Sequence, residues 1–160
     1  MSSIFDKAKP FAQVLEQTAE RFNIPIGLLY GICKQESSFI ATAIRWEPGF
    51  YHRYIKPRKD IPFEEAVGQA HSFGLMQIMG STARWMGYKK DLTGLWQPII
   101  NLNYGCKYFA KLVKKYNGNL KDAIAAYNAG SARKTGDDGD YVNQEYVDRV
   151  VIYWNKYEEG

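Results

Sequence analysis

The sequence predicts a mainly α-helical domain with one small β element. Three observations point there. Apolar residues recur at helical spacing in five separate stretches; the string "SFGLMQIM" is too short and too broken by glycine for a helix; and proline, glycine and asparagine fall at the joints. At 160 residues the chain can bury one core without a metal or disulfide staple, so a single domain over 1–160 is expected.

Taken in order, Phe11, Val14, Leu15, Thr18, Ala19 and Phe22 keep helical spacing and predict a first helix from about residue 6 to 22. Asn23 is placed to cap a second helix with Pro25 in its first turn, where a missing N–H costs nothing, and that helix runs through Leu29, Ile32 and Cys33 to Glu36. The stretch from Arg45 to Asp60 mixes proline, glycine, charge and aromatics without a period and reads as a long loop. A turn of helix is expected near 63–69, then a strand or tight turn through "SFGLMQIM", then a short helix capped by Ser81 and ending at Gly87.

Pro98 opens a longer helix whose buried face is Leu102, Cys106, Phe109, Leu112, Val113 and Tyr116, closed by the turn "NGN". Asn119 caps "LKDAIAAYN", and Gly130 is the expected left-handed stop. After a Gly/Asp-rich loop, Val147, Val150, Val151, Trp154 and Tyr157 define a last amphipathic helix.

Composition narrows the partners. Hydrophobic residues make up 46% and aromatics 15%, with twelve tyrosines, enough ring surface for a cleft as well as a core. The net charge of +4 favours an anionic polymer without naming one. Nucleic acid is not indicated, because Lys111, Lys114 and Lys115 fall at the spacing of a solvated helix face and no basic stripe or binding motif appears. Cys33 and Cys106 lie on apolar faces and read as small hydrophobes rather than a disulfide.

The N-terminal string "MSSIFDKAKPFAQVL" has no basic segment followed by an apolar run, so neither a signal peptide, an anchor nor a membrane span is expected. No cofactor or metal is expected either. His52 and His71 lack zinc-ligand spacing, and Asp137, Asp138, Gly139 and Asp140 lack the alternating ligands and terminal glutamate of a calcium loop.

One residue breaks the helical pattern. In "YGICKQESSF" the apolar series Leu29, Ile32, Cys33 continues to Glu36, an acid where a core residue is due. Desolvation at such a position penalises the charged form and raises the pKa, which suits a general acid at neutral pH. A glutamate near a helix end can also simply turn outward to solvent.

The strings "ESSF" (Glu36 to Phe39), "GLMQI" (Gly74 to Ile78), "AYNAG" (Ala126 to Gly130) and "EYVDRV" (Glu145 to Val150) follow in an order that resembles the soluble lytic transglycosylase family, over roughly residues 22–155. The resemblance implies a lysozyme-like α+β fold and cleavage of the β-1,4 bond between N-acetylmuramic acid and N-acetylglucosamine in peptidoglycan glycan strands, with a 1,6-anhydro ring formed in place of water addition. It implies Glu36 as the catalytic acid/base, Ser37 fixing the region beside it, Met76 and Gln77 on the cleft floor, Tyr127 and Asn128 as a wall, and Tyr146 approaching the carboxyl. It also implies action at the bacterial cell wall; with no export signal in the sequence, the route there is open, through the periplasm or by phage delivery, and a monomer is the default expectation.

Residue chemistry leaves duller readings open. Tyr127, three residues after Ile124, also fits a core position; Met76 also fits packing; Tyr146 also fits a surface anchor. Two departures from the family pattern stand out. The 37 residues between Glu36 and Gly74 exceed what the family commonly has, and they supply Trp46, Phe50, Tyr51 and Tyr54 as well as Glu47, Asp60, Glu64 and Glu65, any of which is a candidate second carboxylate. After "AYNAG", where a proline often follows, stands "SARKTGDDGDYVNQ". A muramidase similar to goose-type lysozymes and a non-catalytic wall-binding domain are the alternatives.

Overall fold

A computed structural model describes residues 3–136 and 139–160, so Asp137 and Asp138 of the acidic string lie outside the described residues. The chain opens with a 3-10 helix, Ser3–Phe11, that runs into α1, Ala12–Phe22. The single helix expected from about residue 6 divides here because Pro10 has no N–H to give and its ring crowds the carbonyl four residues back. Asn23 does not cap the second helix; it closes α1 in the left-handed conformation, φ +52°, which asparagine tolerates. Pro25 itself stands at the start of α2, Ile26–Ser37.

Helix α2 is the axis of the molecule, with Leu28, Leu29, Tyr30, Ile32 and Cys33 all buried, so apolar residues cover most of its girth. The last helix, α8 (Gln144–Glu159), lies along it. Close approach is possible because Gly31 has no side chain: a Cβ there would stand 2.8 Å from the Val150 carbonyl oxygen. Phe5 meets Tyr30, Phe39 and Tyr157 edge to face, and Tyr30 tilts against Tyr157, closing one end of this core. Cys33 and Cys106 are buried free thiols, as their apolar settings imply.

The β element is a three-stranded antiparallel sheet in the order β1 (Ile44–Trp46), β2 (His71–Phe73), β3 (Ile78–Met79), with Arg45 opposite Ser72. Its β2–β3 turn is the glycine-broken string singled out above. The segment expected as a long loop is mostly ordered: after β1 come α3 (Pro48–Phe50) and a π-helical turn, Tyr51–Ile55. Their Ile55 packs on Ala66 and Ala70 as a small core of its own, with Phe50, Tyr51 and Ile61 around it. A wound-out π turn has neither the 3.6 nor the 2 period, which is why no period is visible in the sequence.

Helix α4 (Phe63–Gln69) matches its expected span, whereas α5 (Gly80–Trp85) begins before Ser81, which makes no cap bond. A 3-10 turn, Leu92–Trp96, capped by the Asp91 carboxylate, precedes α6 (Pro98–Lys115). Helix α7 (Leu120–Ala129) has the expected Asn119 cap, accepting from the Asp122 N–H, and the expected Gly130 stop at φ +79°. A two-stranded hairpin, β4 (Lys134–Thr135) with β5 (Asp140–Tyr141), lies within the Gly/Asp-rich loop. No helix among the described residues is long and apolar enough to cross a membrane.

Because the α2–α8 contact leaves no room at Gly31, Gly31→Ala is expected to destabilise the domain by about 1–3 kcal/mol, read as a lower urea midpoint.

Candidate active site

Glu36 stands in the last turn of α2, where the chain leaves the core and its carboxyl reaches a cleft of about 450 Å³ between the helices and the sheet. The helix end offers no dipole support to an anion. Desolvation is the largest influence and pushes the Glu36 carboxyl from 4.5 up to about 7; the Tyr146 hydrogen bond and the Arg45 charge oppose the rise, and Glu47 adds to it. Tyr146 Oη donates to Glu36 Oε1 at 2.6 Å. It comes from the first turn of α8, so the α2–α8 contact sets this distance. Burial, and then the neighbouring Glu36 charge, hold the Tyr146 and Tyr127 phenols well above their ordinary value, so both remain donors.

The turn beneath the carboxyl is gripped from four directions. The Phe73 carbonyl accepts from Asn101 Nδ2 at 2.7 Å, that of Gly74 from Gln77 Nε2 at 3.0 Å, that of Leu75 from Ser37 Oγ at 2.8 Å, and that of Met76 from Tyr127 Oη at 2.7 Å. Asn101 is wholly buried; its Nδ2 also donates to the Leu95 carbonyl and its Oδ1 accepts from the Met76 N–H. Gln77, held at φ +48°, reaches the Ala43 carbonyl as well, at 3.2 Å. Thus α2, α6 and α7 each hold one carbonyl of a single turn.

The expected residues therefore converge, with one correction. Gln77, Tyr127 and Asn128 line the cleft with Glu36; Ser37 sits directly below. Met76 does not form the cleft floor: its side chain is fully buried, with its sulfur 3.7 Å from Cys106 Sγ, and only its backbone serves the site. Asn128 Oδ1 is itself held by Asn143 Nδ2 at 2.9 Å.

Sequence reasoning passed over Asn101, Gly105 and Tyr108, which lie i, i+4, i+7 along α6 and form a second stripe beside the core face. Asn101 holds the turn, Gly105 leaves space for Met76, and Tyr108 lines the cleft. That spacing marks the stripe, but not the long-range carbonyls that give Asn101 its role.

Of the four candidate second carboxylates, only Glu47 lines the cleft. Its Oε1 accepts from Arg45 Nε at 2.6 Å and from Ser72 Oγ at 3.2 Å, across the β1–β2 pair. Asp60 pairs with Arg58, Glu65 pairs with Arg84, and Glu64 is exposed on α4. Chemically, the arrangement offers one carboxyl poised to give and take a proton near neutrality, beside a Glu47 side chain held by Arg45 and Ser72. Among the described residues no group of three or more His, Cys, Asp or Glu side chains is placed to hold a metal.

The family model described as "Transglycosylase SLT domain" matches residues 13–146. The chain belongs to this family. Among curated proteins the SLT domain is 27% identical over 139 residues to the membrane-bound lytic murein transglycosylase C of Haemophilus ducreyi, covering 78% of this chain and 32% of that protein. It is 26% identical over 126 residues to Protein IpgF of Shigella flexneri, covering 77% of this chain and 69% of that one. It thus spans about a third of the first relative's length. An X-ray structure of an inactive mutant of the lytic transglycosylase Slt from Pseudomonas aeruginosa shares the fold, with a TM-score of 0.66 at 22% identity over 92% of this chain and 24% of that one. The expected lysozyme-like α+β architecture is thereby borne out.

The desolvated, half-buried Glu36 carboxyl has a pH signature in the SLT domain. Between pH 4.5 and about 7 the folded state keeps a proton that the unfolded chain has released, so stability falls as pH rises through that window. Glu36→Gln, which keeps an acceptor for Tyr146, is expected to stabilise the domain at pH 8 by on the order of 2–3 kcal/mol, with the gain shrinking as pH falls from about 7 and gone by about 4.5 in paired denaturant titrations. Tyr146→Phe removes a bond that favours the charged form, so carboxyl NMR titration should find Glu36 shifted upward by roughly one unit.

Proposed function

We propose that this SLT domain is a peptidoglycan lytic transglycosylase, a glycan lyase that cuts the β-1,4 bond between N-acetylmuramic acid and N-acetylglucosamine and leaves 1,6-anhydromuramic acid ends. The observation that carries this reading is one cleft carboxyl, Glu36, brought to about 7 by burial with a tyrosine hydroxyl on its oxygen. In the proposed cycle protonated Glu36 donates to the glycosidic oxygen, then as carboxylate takes the proton from the C6 hydroxyl of the muramic acid as O6 closes on C1. The donor form is populated below about 7 and lost above it.

Intramolecular attack needs no enzyme nucleophile and no positioned water, so one carboxyl suffices where hydrolysis ordinarily takes two. Developing charge at C1 is met by the substrate's own N-acetyl group, and the gripped turn with Gln77, Tyr127 and Asn128 holds the ring so that O6 faces C1. Tyr146 keeps the Glu36 carboxyl oriented. No cofactor takes part, and the acting unit is a monomer on the glycan strand at the bacterial cell wall.

Glu47 supports a second reading, a muramidase, because it faces the same cleft. Its Oε1 is already engaged by Arg45 and Ser72, which favours the lyase. Mass spectrometry of muropeptides released from purified peptidoglycan separates the two. Anhydro products, lighter by one water, are expected from the parent and from Glu47→Gln, and none from Glu36→Gln. Reducing-end products abolished by Glu47→Gln would replace the lyase with a hydrolase.

A further inference from the structure

The cleft has a wall that the proposed chemistry does not use. Phe50 and Tyr54, from the segment between β1 and α4, both line it, with ring centroids 5.0 Å apart and planes tilted by 46°. Phe50 is anchored on the small core of Ile55, Ala66 and Ala70, whereas Tyr54 is 53% exposed. Helix α7 and α6 supply a second ring pair to the same cleft, Tyr127 and Tyr108, with centroids 5.5 Å apart. Polar groups that can bond to hydroxyls, Arg45, Glu47 and Ser72, line the cleft with these two pairs.

We propose that Phe50 and Tyr54 form a stacking wall for one pyranose ring of an N-acetylated glycan strand, a subsite supplied by the long segment between Glu36 and Gly74. The inference rests on the glycan reading above and extends it. A pyranose presents a flat face of C–H groups with slight positive charge and a rim of hydroxyls. An exposed, electron-rich ring matches the first and a charged, planar rim matches the second. Arg53, with its guanidinium 5.2 Å from the Tyr54 centroid, adds positive charge to the wall.

The π-helical turn gives the wall its shape. Its closing bond, from the Lys56 N–H to the Tyr51 carbonyl at 2.7 Å, follows Phe50 and spans Tyr54. The ring pair is therefore set by backbone winding together with the local core, and a change at the exposed Tyr54 ring leaves both in place.

The test uses the Glu36→Gln protein, which binds without turnover, titrated calorimetrically with the β-1,4-linked hexamer of N-acetylglucosamine. Tyr54→Ala in that background is expected to weaken binding roughly tenfold, and Tyr54→Phe to restore it to within about twofold, with thermal melting unchanged in both. Equal binding by Tyr54→Ala overturns the stacking wall while leaving the glycan reading intact. Absence of hexamer binding by the Glu36→Gln protein itself overturns that reading, and the wall with it.

Discussion

The site depends on one turn, Phe73 to Gln77, whose four leading carbonyls are each held by a side chain. A buried carbonyl left unpaired costs about 1–3 kcal/mol, so the four partners remove a penalty larger than the turn could bear alone. The turn is also conformationally demanding, with left-handed φ of +71° at Gly74 and +48° at Gln77. Glycine is required at the first for a further reason: a Cβ there would lie 2.4 Å from Asn101 Nδ2. Since Ser37 is the neighbour of Glu36 in the chain, the bond to the Leu75 carbonyl fixes the distance between the acid and the sheet. The cleft is then shaped before any ligand enters it, which is the condition for orientation to contribute to a reaction.

Burying Glu36 opposes this rigidity. A carboxyl moved from 4.5 to about 7 destabilises the ionised folded state, and the Tyr146 hydroxyl offsets only part of that cost. The rest is carried by the core that puts the residues there. Helix α8 is drawn onto α2 over Gly31, Tyr146 arrives at its first turn, and Val147 and Val150 fill the space behind. Stability and acidity thus have a single origin, since the packing that buries the carboxyl also supplies the hydrogen bond that limits its shift.

What was legible in the sequence follows the physics of each element. Helices with one apolar face, such as α1, α6 and α8, announce themselves by period, and local chemistry gave Pro98, Asn119 and Gly130 their places because each acts within one turn of itself. Asn23 and Ser81 misled because the same residue types serve several local roles: Asn23 takes the left-handed stop, and Ser81 sits inside α5. Met76 misled for a different reason. A short strand-turn-strand alternates inward and outward, and the sequence alone does not fix which parity faces the cleft. Glu36 was legible as an apolar-face anomaly, whereas Asn101 was not, because a buried amide is recognised only when the long-range carbonyls it satisfies are known.

The two lips of the cleft are held by different kinds of contact, and this has a consequence for how the domain can vary. The Glu36 lip is fixed by partners distant in sequence: Tyr146 lies 110 positions away, and Tyr127 lies 51 from the carbonyl it holds. A change there propagates through α2, α7 and α8 together. The lip carrying Phe50 and Tyr54 is built from residues 44–73, with its own small core; besides the sheet, it is tied to the rest of the domain mainly through α4, which packs on α5 and pairs Glu65 with Arg84. Local closure costs little chain entropy and leaves the main core untouched. The acid is therefore the part of this architecture least able to vary on physical grounds, and the aromatic lip is the part more free to be lengthened, shortened or re-aimed.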